Sequence, residues 1–224
     1  MKVLGLDKSD SALQKQDKTR DAPNRALEGL IAFGTALGLI ALLEIGDKTQ
    51  LVTISLATRH PWAKVLAGAA IGLTAATAIG AAIGGVLAAT LGAWLTVLKV
   101  AGGVLFIVIG VWTVVEAIHR HRRFEEVPPV AESRGAFAQT AGLLFLAEFG
   151  DKTQIAVIIL AATYAAPVSV FAGASLAETL VAVTSIVIGG ALSKLVTKRW
   201  LEMLSTGLFI VAGVLLILEA FSVF

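Results

Sequence analysis

The 224 residues are 57% hydrophobic and only 15% charged, with 22 Gly, 5 Pro and no Cys, and mean hydropathy is +0.86. Soluble domains run at about 45–50% apolar and about 25% charged, and one core of this size cannot hide so much apolar surface from water. Most soluble readings, a disordered chain, a disulfide scaffold and a cysteine-based zinc or redox site are excluded, and a net charge of +2 is too weak a basic balance to suggest a nucleic-acid partner.

Residues 1–27 are polar and mixed in charge, which reads as a flexible tail; no cleavable signal pattern precedes Leu27. Beyond it, six spans of about 20 mainly apolar residues are expected: Gly29–Ala57, Trp62–Ala88, Leu95–Ala117, Gly135–Ala162, Pro167–Leu192 and Met203–Phe221. The 34 residues between Lys64 and Lys99 hold no Lys, Arg, Asp or Glu. The first and fourth spans are interrupted by polar clusters. Residues 119–134 form a charged central loop, in which Glu125, Glu126 and Glu132 alternate with basic residues around Pro128-Pro129. Abundant Gly and Ala inside the spans let helix backbones approach closely in lipid. Trp62, Trp94 and Trp200 fit interfacial anchors, whereas Trp112 is deeper and is expected to pack.

The loops after spans one, three and five carry Arg59, Lys64, Arg120, Arg122, Arg123, Arg134, Lys194, Lys198 and Arg199. The positive-inside rule puts them in the cytoplasm and both termini on the other side. Arg20 and Arg25 in the tail oppose this weakly.

The segment Glu44-Ile45-Gly46-Asp47-Lys48-Thr49-Gln50 recurs as Glu148-Phe149-Gly150-Asp151-Lys152-Thr153-Gln154, 104 residues later, with six of seven positions identical. Ala67-Gly68-Ala69 matches Ala172-Gly173-Ala174, Gly84-Gly85 matches Gly189-Gly190, and Phe106–Val111 matches Phe209–Val214. The expected fold is therefore all-α and polytopic: six transmembrane helices as two repeats, 28–118 and 135–224. Three spans per repeat invert the second copy across the membrane, a design common in secondary transporters. The first helix of each repeat is expected to break at its acidic motif.

Glu44 and Asp47 are three apart and share a helix face, as do Glu148 and Asp151. Ionisable groups at mid-membrane are costly and face the protein interior or a water path. Gly46 and Gly150 allow local unwinding, which frees backbone carbonyls. Inversion brings the two motifs together, with Thr49, Gln50, Thr153 and Gln154 adding neutral oxygens. Such a set suits a hard divalent cation, Ca2+ or Mn2+, with Mg2+ held back by its tightly bound water. The candidate metal ligands are Glu44, Asp47, Gln50, Glu148, Asp151 and Gln154. His60, His119 and His121 all lie in basic loops, so a histidine zinc site has no support.

Four acids with Lys48 and Lys152 sum to −2 when all are ionised, matching one divalent cation. The same oxygens can hold either the cation or protons, which is a physical basis for antiport. Alternatively each Lys only pairs with an adjacent acid and holds structure. Glu178, inside span five, is an extra ligand, a proton relay or a buried hydrogen-bonded acid; its counterpart is Leu73. Thr74 and Thr77 are neighbouring hydroxyls or packing residues. Glu116 and Glu219 either gate or attract cations at the membrane surfaces or merely solvate helix ends.

The duplicated Glu-x-Gly-Asp-Lys-Thr motif, Glu44–Thr49 and Glu148–Thr153, resembles that of the Golgi and chloroplast manganese/calcium transporter family, which has many bacterial members. The resemblance implies a cation/H+ exchanger for Mn2+ or Ca2+ with Glu44, Asp47, Glu148 and Asp151 as its metal site. In a bacterium it implies Mn2+ efflux across the inner membrane. No permanently bound cofactor is expected, only the transported cation and H+. A divalent cation channel and a small-solute exporter are the rival readings, and sodium coupling stays open. An enzyme is not expected, since no nucleophile–His arrangement lies in the membrane; no G-x-x-x-x-G-K-[ST] motif occurs. The lipid bilayer is the expected partner, and oligomeric state is left open.

Overall fold

The computed structural model describes residues 6–45, 47–119, 135–195 and 198–221. In chain order they form α1 (Leu6–Glu44), α2 (Lys48–Arg59), α3 (Trp62–Leu91), α4 (Leu95–His119), α5 (Ala136–Glu148), α6 (Lys152–Thr163), α7 (Pro167–Leu195) and α8 (Lys198–Ala220). A 3-10 turn, Gly92–Trp94, joins α3 to α4. The helix α1 starts at Leu6, inside the stretch read from sequence as a polar tail. Most of the central loop, with Arg120, His121, Arg122, Arg123 and Arg134, lies outside the described residues.

Four stretches are long and apolar enough to cross a bilayer: Arg25–Glu44, Trp62–Leu91, Leu95–Trp112 and Pro167–Val187. The chain is an all-α, multi-pass membrane protein. The expected spans Gly29–Ala57 and Gly135–Ala162 are each divided at the acidic motif. The pieces α2, α5 and α6 have 12, 13 and 12 residues. At 1.5 Å per residue they reach about 18–20 Å, short of the ~30 Å hydrocarbon core. The expected sixth span contains the apolar helix Phe209–Ala220.

Glycine decides which helices touch. A Cβ on Gly68 of α3 would stand 2.6 Å from the Phe137 carbonyl oxygen of α5, and one on Gly173 of α7 would meet the Phe33 carbonyl of α1. Gly68 and Gly173 are repeat counterparts, and so are Phe33 and Phe137. The acidic-motif helix α5 thus lies on α3, and α1 lies on α7 in the matching way. Farther along α3, Gly80 meets Gln154 and Val157, and Gly84 meets Ala161. Residue numbers rise together, so α5 and then α6 run alongside α3 in one direction. The pair α4 and α8 runs the opposite way: Lys99 faces Glu219, Gly103 faces Gly213, and Phe106 faces Phe209. The Phe106 and Phe209 rings, also repeat counterparts, are fully buried and meet edge to face at 5.6 Å.

Large apolar side chains such as Leu30, Ile71, Val86 and Val187 point outward, as they do where lipid is the solvent. Trp62 and Trp94 are exposed, as anchors are; the Trp200 side chain is outside the described set. Trp112 departs from expectation. It is 69% exposed instead of packed. The face that α4 turns inward carries Gly103, Phe106 and Gly110, and Trp112 follows Gly110 by two residues, about 200° around the helix.

Candidate metal centre

Both acidic motifs interrupt their helices in the same manner. The helix α1 ends at Glu44, whose carbonyl accepts from Asp47 N at 3.2 Å. Asp47 then adopts extended backbone (φ −77, ψ 169) and starts α2. In the second copy Glu148 O accepts from Asp151 N at 3.1 Å, and Asp151 has φ −81 and ψ 170. Gly150 sits at φ +81, the left-handed region where a side chain is strained. Neither aspartate caps its own helix through its side chain, which leaves both carboxylates for other partners. The breaks bring the carbonyl ends of α1 and α5 and the amide ends of α2 and α6 to one level.

The two motifs interlock. Thr153 Oγ1 donates to Glu44 Oε1 at 2.8 Å. Its counterpart Thr49 donates to Glu148 Oε1. Both glutamates are 2% exposed. Lys152 Nζ lies 3.2 Å from Asp47 Oδ1, an ion pair between the motifs and not within one. Asp47 Oδ2 is buried and has no hydrogen-bond partner. One carboxylate oxygen from each of Glu44, Asp47 and Glu148 falls within 4.8 Å of the others. Three acids so close, two of them fully buried, call for positive charge, and carboxylate oxygens are what hard cations take.

The remaining sequence candidates take different places. Asp151 is half-buried at the second break. Gln50 is buried and lines, with Glu44 and Glu178, a small cavity of about 10 Å³, room for about one water-sized group. Gln154 is tied to the backbone: its Oε1 accepts from Gly150 N at 2.6 Å and its Nε2 donates to Ala76 O at 3.2 Å. It braces the break against α3. Glu178 is 2% exposed and accepts from Thr77 at 2.5 Å; Thr74 is half-buried on α3. Glu219 pairs with Lys99 Nζ at 2.6 Å and fastens α8 to α4. The Lys48 and Glu116 side chains lie outside the described set. His60 ends α2, its backbone N–H donating to Leu56 O. Sequence reasoning missed Thr53 and Ser185, which line the cavity beside Glu44. A hydroxyl four residues beyond Thr49, on the same helix face, was the available signal for Thr53.

Residues 32–121 and 136–223 match the family described as Divalent cation/proton antiporter GDT1. GDT1-like protein sll0615 of Synechocystis is 30% identical over 193 residues, covering 80% of this chain and 93% of that protein. GDT1-like protein 3 of Arabidopsis thaliana is 28% identical over 188 residues, covering 75% of this chain and 64% of the plant protein. A Vibrio cholerae protein named "Putative manganese exporter" is 32% identical over 178 residues, with 76% and 82% covered. No solved structure matches.

Proposed function

Because the chain belongs to the GDT1 divalent cation/proton antiporter family, we propose that it exchanges a divalent cation, Mn2+ first and Ca2+ second, for protons. Membership of a transporter family makes it a transport protein and not an enzyme. The observation that carries the reading is the crossed pair of hydrogen bonds, Thr153 to Glu44 and Thr49 to Glu148. Those bonds turn two distant motifs into one carboxylate cluster.

In this reading α1–α2 and α5–α6 are two broken spans, and 28–118 and 135–224 are two three-span halves of inverted topology. The support is the reciprocal packing: Gly68 on Phe137, Gly173 on Phe33, and the opposed run of α4 and α8. Glu44, Asp47, Glu148 and Asp151 hold the cation, with the break carbonyls and the Thr49 and Gln50 oxygens nearby. Lys152, paired with Asp47, offsets part of the negative charge, and Lys48 brings a second positive charge in the sequence of the first motif. Protons and cation compete for the same carboxylate oxygens, so the arrival of one releases the other. Inversion gives the halves two equivalent arrangements, and exchange between them carries the site from one face to the other. The basic loops face the cytoplasm and the direction is efflux across a bacterial inner membrane.

The test is flux in proteoliposomes with Mn2+ or Ca2+ outside and internal pH read at the same time. Cation movement is expected to drive opposite proton movement. Asp47→Asn and Asp151→Asn are each expected to slow it about 30-fold or more, the scale of about 2–5 kcal/mol for losing one member of a buried charged set. Wild-type rates in both variants would sink the site.

A further inference from the structure

Beside its polar residues, the cavity next to Glu44 is walled by Leu73, Val181 and Ala182. Glu178 lines it from α7 and is 2% exposed. Its Oε1 is held by Thr77, while Oε2 is buried with no hydrogen-bond partner. Two hydroxyls continue the lining away from Glu44: Thr53 on α2, and Ser185 two turns beyond Glu178 on α7. Thr53 spends its proton on Thr49 O at 2.8 Å, and Ser185 spends its proton on Val181 O at 2.6 Å. Both hydroxyl oxygens are left as pure acceptors, the polarity a cation requires.

The corresponding positions of the other half carry fewer oxygens. The match of Gly84-Gly85 with Gly189-Gly190 puts Leu73 opposite Glu178 and Gly80 opposite Ser185. The motif spacing puts Val157 opposite Thr53. There Gly80 lies so close to α6 that an added Cβ would stand 3.3 Å from both Gln154 Cγ and Val157 Cγ1. Three oxygen-bearing side chains thus correspond to Leu73, which lines the same cavity, and to Gly80 and Val157, which close against each other beside Gln154.

We propose that Glu178, with Gln50, Thr53 and Ser185, forms a second subsite for a hard divalent cation, which serves the central cluster from one membrane face only. The inference rests on the central-site reading and adds to it a sided route between α2 and α7. Cation coordination completes the shell of Glu178 Oε2, and the subsite strips water before the ion reaches Glu44. The face served is the one that α2 approaches at Arg59, which the orientation proposed above puts in the cytoplasm.

The experiment measures Mn2+-driven proton movement in inside-out and right-side-out membrane vesicles containing the full chain. Glu178→Gln is expected to raise the KM for Mn2+ about tenfold in inside-out vesicles and to leave it within about twofold in right-side-out ones. Thr53→Val and Ser185→Ala are expected to move the same orientation by less, and they carry the test if Glu178→Gln fails to reach the membrane. A KM change confined to right-side-out vesicles would also support the subsite and would reverse the assigned face. Equal changes in both orientations, or none in any of the three variants, overturn it. Asp47→Asn is run beside them: its loss of transport in both orientations with all three subsite variants unchanged removes the subsite alone. Full transport by Asp47→Asn removes the central-site reading itself.

Discussion

Thr153 donates a hydrogen bond to Glu44 at 2.8 Å across 109 residues of sequence. The donor belongs to one acidic motif and the acceptor to the other. With Thr49 donating to Glu148 in return, neither motif is complete by itself. Each supplies the hydroxyl that orients the other's glutamate.

That reciprocity makes the two threonines equivalent in size of effect. A hydrogen bond to a charged group contributes about 1.5–3 kcal/mol, so Thr153→Val and Thr49→Val should each weaken apparent Mn2+ affinity by about tenfold or more. The measurement is the KM for Mn2+-driven proton movement. A large loss in one variant beside none in the other would contradict the interlocked arrangement.

Gly150 stands at φ +81 with open space around its Cα. In Gly150→Ala the backbone alone is penalised, by about 1–2 kcal/mol, because nothing obstructs the new methyl. Thermal unfolding in detergent should shift down by a few degrees, with transport slowed if the break relaxes toward a continuous helix. An unchanged midpoint would mean that this turn tolerates a side chain.

Close approach of helix backbones gives a paired test. Gly68→Ala puts a methyl 2.6 Å from Phe137 O and 2.8 Å from Thr140 Cβ, overpacking that costs about 1–3 kcal/mol. Gly142→Ala, on α5 with nothing within 4 Å, should be neutral or slightly stabilising. The same detergent melt reads both, and similar midpoints for the two variants would rule out the tight α3–α5 contact.

Phe106 and Phe209 should show coupling. In lipid their contribution is packing and not escape from water, and edge-to-face ring pairs add about 0.5–1.5 kcal/mol. A cycle of Phe106→Leu, Phe209→Leu and the double variant should return a coupling of that size. Strict additivity would place the rings apart.

Glu219 is 45% exposed beside Lys99, and exposed pairs contribute about 0–1 kcal/mol. Glu219→Gln should leave Mn2+-driven proton movement within about twofold. A loss of transport as large as that of Asp47→Asn would restore Glu219 as a gate.

Much of the architecture was legible because lipid leaves only helices and closed barrels as solutions, and apolar runs of about 20 residues mark helices. The interruptions were legible too, since Glu, Asp and Lys in mid-span are too costly to be incidental. What resisted was the partner of each side chain. Lys152 pairs with Asp47 across the motifs, and Gln154 spends its oxygen on Gly150 N; spacing along one helix reports only neighbours on that helix. Trp112 was misjudged because depth in a span does not say which face a residue occupies. Thr53 and Ser185 look like ordinary helix hydroxyls until α2 and α7 come together.

By itself the sequence determined that the chain lives in a bilayer, that it is built twice from one pattern, and that scarce charge is concentrated in two matching motifs. Those properties follow from composition, periodicity and the cost of charge in hydrocarbon. Only the tertiary structure decided that the motifs meet by exchanging hydrogen bonds, and that Glu178, Thr53 and Ser185 line one cavity with Glu44. The physical reason is distance: Thr153 and Glu44, or Glu178 and Thr53, lie far apart in the chain and meet only when the helices pack, which no local stretch of residues encodes.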